Sequence, residues 1–282
     1  AVDGFTDDWT YIQPVLDALG VDYTYVESDA TSYNGPDLAT MQEHDIIIWF
    51  TGEGWQNNQT MTATDEANLA DFIDGGGKLF LSAQDYIWDV YSNSDTYTFS
   101  AGEFPYDYLG VETVTQDAWW SGSGGEHLAH EGADGSLAEG YSFYVDDIYT
   151  TKDGITTDMI TAHTGTDMLS ITDAPAGLVA IQTDNVVFWP GSVAAVTDEQ
   201  VRTDLISDII SYLGNKDNKE SKALQSYSVY LNDAEMATGT TDSTYTFTGI
   251  DIGTHTAGVK AVYETGESDT ATIDFDVMSS VT

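Results

Sequence analysis

Asp45-Ile46-Ile47-Ile48-Trp49-Phe50, residues 45–50, is an unbroken apolar run behind a single acid. A run of this length without polar alternation suits a strand buried on both faces, the pattern of a parallel sheet. Working outward, Thr64 and Asp65 are placed to cap a helix carrying Leu69, Phe72 and Ile73, which stops at Gly75-Gly76-Gly77 and passes into a strand from Lys78 to Ser82. Strand, helix and strand form a βαβ unit, so the expected class is α/β with a parallel sheet. Upstream, Asp7 and Asp8 precede Trp9, Ile12, Val15, Leu16 and Leu19 at helical spacing, with Gly20 as a stop. Pro14 weakens that helix or lies in its first turn. A short strand is expected from Tyr23 to Val26.

Downstream, the stretch from Asp85 to about Gly140 is rich in Tyr, Trp, Gly and Ser with weak periodicity, and reads as irregular structure with one helix around Phe104 to Leu109. Leu178 to Gln182 and Asn185 to Trp189 are separated by Thr183-Asp184, short enough for a hairpin turn. A last helix runs from Thr197 to Leu213, with Asp198 and Glu199 in its first turn and Val201, Leu205, Ile209, Ile210 and Leu213 on one face.

The polar segment Gly214 to Lys222, GNKDNKESK, holds three of the chain's six lysines and marks a linker. Beyond it come short β-rich runs: Tyr227 to Leu231, Thr244 to Phe247, His255 to Val262 and Ala271 to Phe275. The expected organisation is therefore an α/β domain over 1–214, a linker over 215–222 and a small β-sandwich over 223–282.

Composition narrows the chemistry. The 282 residues include 48 acids against 7 basic residues, a net charge of -41, which makes nucleic acid and anionic membrane surfaces poor partners. Such charge serves solubility or a saline habitat, or provides carboxylates for Ca²⁺. The absence of cysteine excludes disulfides, thiolate zinc sites, iron–sulfur clusters and a cysteine nucleophile. No apolar run is long enough to span a membrane, and abundant Thr, Ser, Gly, Asp and Tyr with scarce Lys favour an extracellular or cell-surface protein.

The segments DIIIWFTGEGW, IDGGGKLFLSAQDYIWD, YLGV at 108–111 and AGLVAIQTDNVVFWPGSVAAV resemble the class I glutamine-amidotransferase-like α/β domain of secreted bacterial proteins that accompany immune-inhibitor-A-type or gingipain-type peptidases. That resemblance covers roughly residues 1–214. The tail from Ser226 to Phe275 is similar to the fibronectin type III-like modules of the same proteins. The resemblance implies a flavodoxin-like, amidotransferase-like parallel sheet followed by a fibronectin type III-like sandwich, in an accessory module of the kind exported by type IX secretion. Two departures stand out. Only Ala1 and Val2 are left to form the first strand before the acidic loop represented by Val2-Asp3-Gly4, and the sandwich begins at its third strand, so both sheets are expected to have exposed edges.

Amidotransferase-like enzymes carry a cysteine nucleophile on the turn that here reads Ser82-Ala83-Gln84-Asp85. Ser82 lacks a G-x-S-x-G elbow, its hydroxyl suits a strand-ending bond to backbone, and no catalytic residue is assigned. Glu126, His127 and His130, in GEHLAHEG, resemble a metal site or a set of loop histidines, without the H-E-x-x-H order. Trp55, Trp88, Trp119 and Trp120 fall in loops after parallel strands, where they either stack on a glycan or fill a core or subunit contact. Asn58 begins an N-glycosylation sequon, and Ser243 and Thr270 sit in triplets resembling bacterial O-glycosylation acceptors. The expected function is a non-enzymatic structural or adhesive subunit, self-associating or binding other surface proteins, that polymerises into a filament or surface layer by strand sharing. The alternative is a glycan-binding accessory module of a secreted hydrolase.

Overall fold

The computed structural model describes residues 8–52, 54–120, 128–146, 148, 155–172, 176–214, 224–232, 234–242, 244–263, 266–267 and 270–278. The chain divides into two compact units, Ala1–Lys219 and Glu220–Thr282. In the first, chain order is α1 (Trp9–Leu19), α2 (Leu38–Met41), β1 (Ile46–Phe50), α3 (Ala63–Asp74), β2 (Lys78–Ser82), α4 (Tyr86–Val90), β3 (Thr96–Thr98), α5 (Phe104–Asp107), β4 (Val111–Trp120), β5 (Leu128–Gly132), β6 (Ser142–Val145), β7 (Thr156–Ala162), β8 (Thr166–Ile171), β9 (Gly177–Gln182), β10 (Val186–Trp189) and α6 (Glu199–Gly214). The second unit contributes β11 (Leu224–Leu231), β12 (Ala234–Thr240), β13 (Gly253–Tyr263), β14 (Gly266–Glu267) and β15 (Ala271–Val277).

The βαβ unit read from the apolar run is present, with Ile46 opposite Lys78 through Phe50 opposite Ser82 in parallel register. Strand β10 joins the other edge of β2, also parallel, and pairs with β9 in the expected hairpin. From there the sheet departs from expectation. Its order is β1-β2-β10-β9-β8-β5-β6, and every pairing beyond β10 is antiparallel. A separate antiparallel sheet, β3-β4-β7, takes β3 and β4 from the region expected to be irregular. Strand content is 36% against 24% helix, so the expected α/β class with a flavodoxin-like parallel sheet is overturned in favour of a mostly β chain with a mixed, curled seven-stranded sheet. The parallel signal was local to three strands, and nothing in Ile46–Phe50 specifies what pairs beyond its second neighbour.

Alternation along these strands builds two cores. Phe50, Phe80, Val187 and Trp189 pack with Ile12 and Leu16 of α1 and with Leu205, Ile206 and Ile209 of α6. Trp49, Leu79, Leu81 and Phe188 point the opposite way, to Met41, Leu69, Phe72 and Ile73. Gly35 is required by this second core, because a Cβ there would come within 2.3 Å of the Trp49 ring. Helix α1 keeps Pro14 on its exposed side and ends at Gly20 with φ of 66°. No strand forms over Tyr23 to Val26, against expectation.

The cap of helix α3 lies two residues before the expected one. Thr62 is the N-cap, and its hydroxyl and the Asp65 carboxylate form a reciprocal capping box. Asp65 is fully buried and its other oxygen accepts from the backbone N–H of Gly35 at 2.8 Å, tying the helix start to the glycine under Trp49.

In the second unit the sheet runs β12-β11-β13, with β15 and β14 sharing the far edge of β13. Its described residues form one sheet, not the two of the expected fibronectin type III-like sandwich. One face carries Ser228, Tyr230, Thr256, Lys260, Thr272 and Asp274, and the other Tyr227, Val229, Ala257, Val259, Ala271 and Ile273. Among the described residues of the chain no helix is long and apolar enough to cross a membrane.

Replacing Asp65 with Ala removes the capping box and leaves the Gly35 N–H without its acceptor, at an expected cost of about 2 kcal/mol. A urea unfolding midpoint unchanged from wild type would show that the box does not anchor α3.

Candidate functional site

Among the described residues strand β1 lies at an edge of the seven-stranded sheet. Its open side faces a groove of about 330 Å³, with residues 21–26 as the far wall. Along that wall Tyr23 and Tyr25 are half-buried while Asp22 and Thr24 are exposed, so the segment presents alternate side chains inward as a strand does, without a ladder to β1. Trp9 stacks on Tyr25 at 4.3 Å, meets Tyr23 edge-on at 5.4 Å and lies parallel to Phe50 at 6.3 Å. This ring cluster holds the wall against the end of β1. Helix α1 and Ile210 bound one face of the groove, and Pro36 and Met41 line it as well. Ile46, Ile47 and Ile48, the most apolar run of the chain, are therefore only half-buried. Asp22, Glu43 and Asp45 line the groove and are exposed to solvent.

The carboxyl ends of the parallel strands form a second location, where open sheets commonly bind ligands. The Ser82 hydroxyl there donates to the Gly191 carbonyl at 3.0 Å and accepts from the Val193 N–H at 2.9 Å. It clasps β2 to the turn after β10, the strand-ending role expected of it. Three residues on, Asp85 adopts φ of 58° at the start of α4 and accepts from the Thr156 hydroxyl at 3.2 Å. Asp158, on β7, is 2% exposed. One of its oxygens accepts from the Asp117 N–H at 2.9 Å, and Oδ2 has no hydrogen-bond partner among the described residues. Burial, then the neighbouring charge of Asp85, raises the Asp158 carboxyl well above its ordinary value, with Asp117 adding to the same direction and its N–H opposing it. Asp117 is raised as well, by burial and then by Asp95.

The residues singled out from the sequence do not gather into one site. Glu126, His127 and Ser243 lie outside the described residues. His130 is not a loop residue: it sits fully buried on β5, stacked on Phe143 at 5.3 Å and tilted against Trp189 at 5.4 Å. Its neighbours in the GEHLAHEG motif gave no hint of that core position. Among the described residues no three His, Asp or Glu side chains converge to hold a metal ion, Ca²⁺ included. Trp55 is 38% exposed after β1, whereas Trp88 on α4 is half-buried and Trp119 on β4 packs against the first core. Trp120 pairs through its backbone with Thr156. Asn58 is exposed in a turn with φ of 57°, but Thr60 of its sequon is buried and donates to Asp89 at 2.8 Å. Thr270 is exposed just before β15. The groove aromatics Trp9, Tyr23 and Tyr25 and the buried Asp158 were not singled out. Period-two spacing of the two tyrosines was the available signal for the groove, and an acid inside the β-rich run Thr156 to Ala162 was the one for Asp158.

No protein-family profile matches the chain, and no curated protein does. Among solved structures, the chain has a faint similarity to the tripod from the baseplate of bacteriophage Tuc2009, at 12% identity and a TM-score of 0.17 over 58% of this chain and 66% of that one. The match thus spans just under two thirds of that chain, and a similarity at this score carries no argument about fold or function.

The raised Asp158 sets a pH dependence. The folded state holds its proton above pH ~4, where the unfolded carboxyl has released it, so stability falls as pH rises from ~4 through the folded value. Asp158→Asn keeps the shape and removes that titration. The stability difference, variant minus wild type, is expected to grow with pH above 4 in urea titrations, and parallel profiles would show that Asp158 ionises without penalty.

Proposed function

We propose that this chain is a non-enzymatic extracellular structural or adhesive subunit that completes its β-structure against another copy, building a filament or surface layer. One observation carries this reading: the second unit has an apolar sheet face that its described residues cover only in part. Among its described residues Val229, at 7% exposure, is the single buried apolar side chain, while Ile273 is 70% and Val259 39% exposed on the same face. A two-faced antiparallel sheet with one apolar side needs a partner layer about 10 Å away to be stable. The segment after β12 supplies only part of one, through Tyr245 and Phe247, with Phe247 stacked on Phe275 at 6.4 Å. An open cavity of about 440 Å³ remains between that segment and the sheet.

A second copy supplies the missing layer through the same face, an isologous contact that needs no other component. Uncharged Ala257, Val259, Ala271 and Ile273 form the middle of the patch, and Asp242, exposed to solvent, is the one acid that lines the cavity beside it. The rest of the chain opposes association, since two molecules of net charge -41 repel. Salt screens that repulsion over ~8 Å at physiological strength, and apolar contact gains as the repulsion is removed. The committed Ser82 hydroxyl agrees with a role other than catalysis.

Light scattering on the full chain is expected to find species larger than the 30.6 kDa monomer, increasing from low to high salt. Val259→Asp and Ile273→Asp, both at exposed positions, are expected to return the chain to monomer with an unchanged far-ultraviolet circular dichroism spectrum. A wild-type chain that stays monomeric at all salt and protein concentrations overturns the reading.

A further inference from the structure

We propose that the loop after β1, residues 54–60, binds a neutral glycan, with Trp55 as the stacking surface and the amides of Gln56, Asn57 and Asn58 as the hydrogen-bonding groups. The inference rests on the adhesive reading above and gives such a subunit something to adhere to. It places that contact in the first unit, whereas self-association is assigned to the second.

Composition singles the loop out. Acids make up 48 of the 282 residues, yet residues 54–64, GWQNNQTMTAT, carry no charge. Within that stretch Trp55, Gln56, Asn57 and Asn58 are all exposed, Trp55 by 38%. Trp49 and Trp189, by contrast, fill the two cores, and Trp119 packs against one of them. The loop also follows the carboxyl end of a parallel strand, where open sheets commonly bind ligands.

A single carboxylate fastens the loop. Asp89, on α4, accepts from the Asn58 N–H at 2.9 Å, the Thr60 N–H at 3.0 Å and the Thr60 hydroxyl at 2.8 Å. Both of its oxygens are thereby engaged within the protein. Asn57 and Asn58 take left-handed backbone, with φ of 63° and 57°, a conformation that costs energy and persists where the surroundings impose it. The side chains of Trp55, Gln56, Asn57 and Asn58 form no hydrogen bond among the described residues, so their donors and acceptors are open to a ligand.

Those groups suit a sugar. A hexose ring offers a face of C–H groups that packs on an indole, and a rim of hydroxyls that each donate and accept. A primary amide supplies a donor and an acceptor from one side chain, so it pairs with neighbouring hydroxyls. Charge selects among sugars, because a chain of net charge -41 repels those bearing carboxylate or sulfate.

In the experiment the full chain, fluorescently labelled on its lysines, is applied to an array of neutral, sialylated and sulfated glycans. Binding is expected to be confined to neutral glycans, to fall about tenfold in Trp55→Ala and in N57D/N58D, and to be kept in part by Trp55→Phe, which retains a ring for stacking. Urea unfolding midpoints of these variants are expected to match wild type, since all three positions are exposed. Absence of binding to every neutral glycan, equal binding to charged ones, or binding unchanged in Trp55→Ala overturns the proposal. A sugar found covalently attached to Asn58 by peptide mapping overturns it as well, making the loop a carrier of glycan instead of a receptor. Loss of the self-associated species in Trp55→Ala, followed by light scattering, assigns the ring to a contact between copies and overturns it likewise. The V259D and I273D variants are expected to bind glycan as wild type does whether or not they self-associate, so failure of either reading shows separately.

Discussion

Backbone pairing on both edges of β2 is the interaction on which the first unit depends. Lys78 to Ser82 bonds in parallel to β1 on one side and to β10 on the other, and all five residues are buried. Because β10 lies over 100 positions further along the chain, this single strand closes the long loop that contains every antiparallel strand of the unit. The Ser82 hydroxyl locks the junction through Gly191 and Val193, 109 and 111 positions away. Closing so long a loop costs only logarithmically more than a short one, so a well-paired buried strand with one side-chain clasp is enough to hold it. Both cores then follow from strand alternation, since residues of β1, β2 and β10 send side chains in turn to α1 and α6 or to α2 and α3.

The same pairing explains what the sequence showed and what it hid. Ile46–Phe50, the helix ending at Gly75, Lys78–Ser82 and the hairpin of β9 and β10 were legible because each is decided by a local apolar run or turn. Fold class was not legible, because it depends on which strand lies beyond β10, and that partner is chosen by packing of distant segments. Strand β4 was hidden for a local reason: its register shifts between Thr115 and Trp119 around Asp117, whose φ is 46°, and this bulge breaks the period-two pattern. Residues 21–26 illustrate the converse. Their alternation resembles a strand, and the side chains do alternate between groove and solvent, but they form no ladder with a described strand.

The candidate sites were legible to different degrees. Aromatic residues were the visible feature, yet their number says nothing of direction: Trp119 turns into the core while Trp55 stays in solvent. His130 stood out for its neighbours in sequence and proved to be a packing residue between Phe143 and Trp189. Exposed sheet edges were expected from the sequence, and among the described residues β1 pairs on one side only while the apolar face of the second unit is covered in part. These two surfaces differ in character.

That difference bears on assembly. An edge offers directional backbone bonds and a rim of carboxylates, so it discriminates by length, register and charge. An apolar face offers area and shape, discriminates less, and works between identical molecules despite their charge. A chain with net charge -41 is kept from collapsing onto its own kind by long-range repulsion, which acts before any contact forms. The face around Val259 and Ile273 is uncharged at its centre, with Asp242 beside it, whereas Asp22, Glu43 and Asp45 line the β1 groove. The same acidity separates the two surfaces in character, one uncharged at its centre and the other lined by carboxylates.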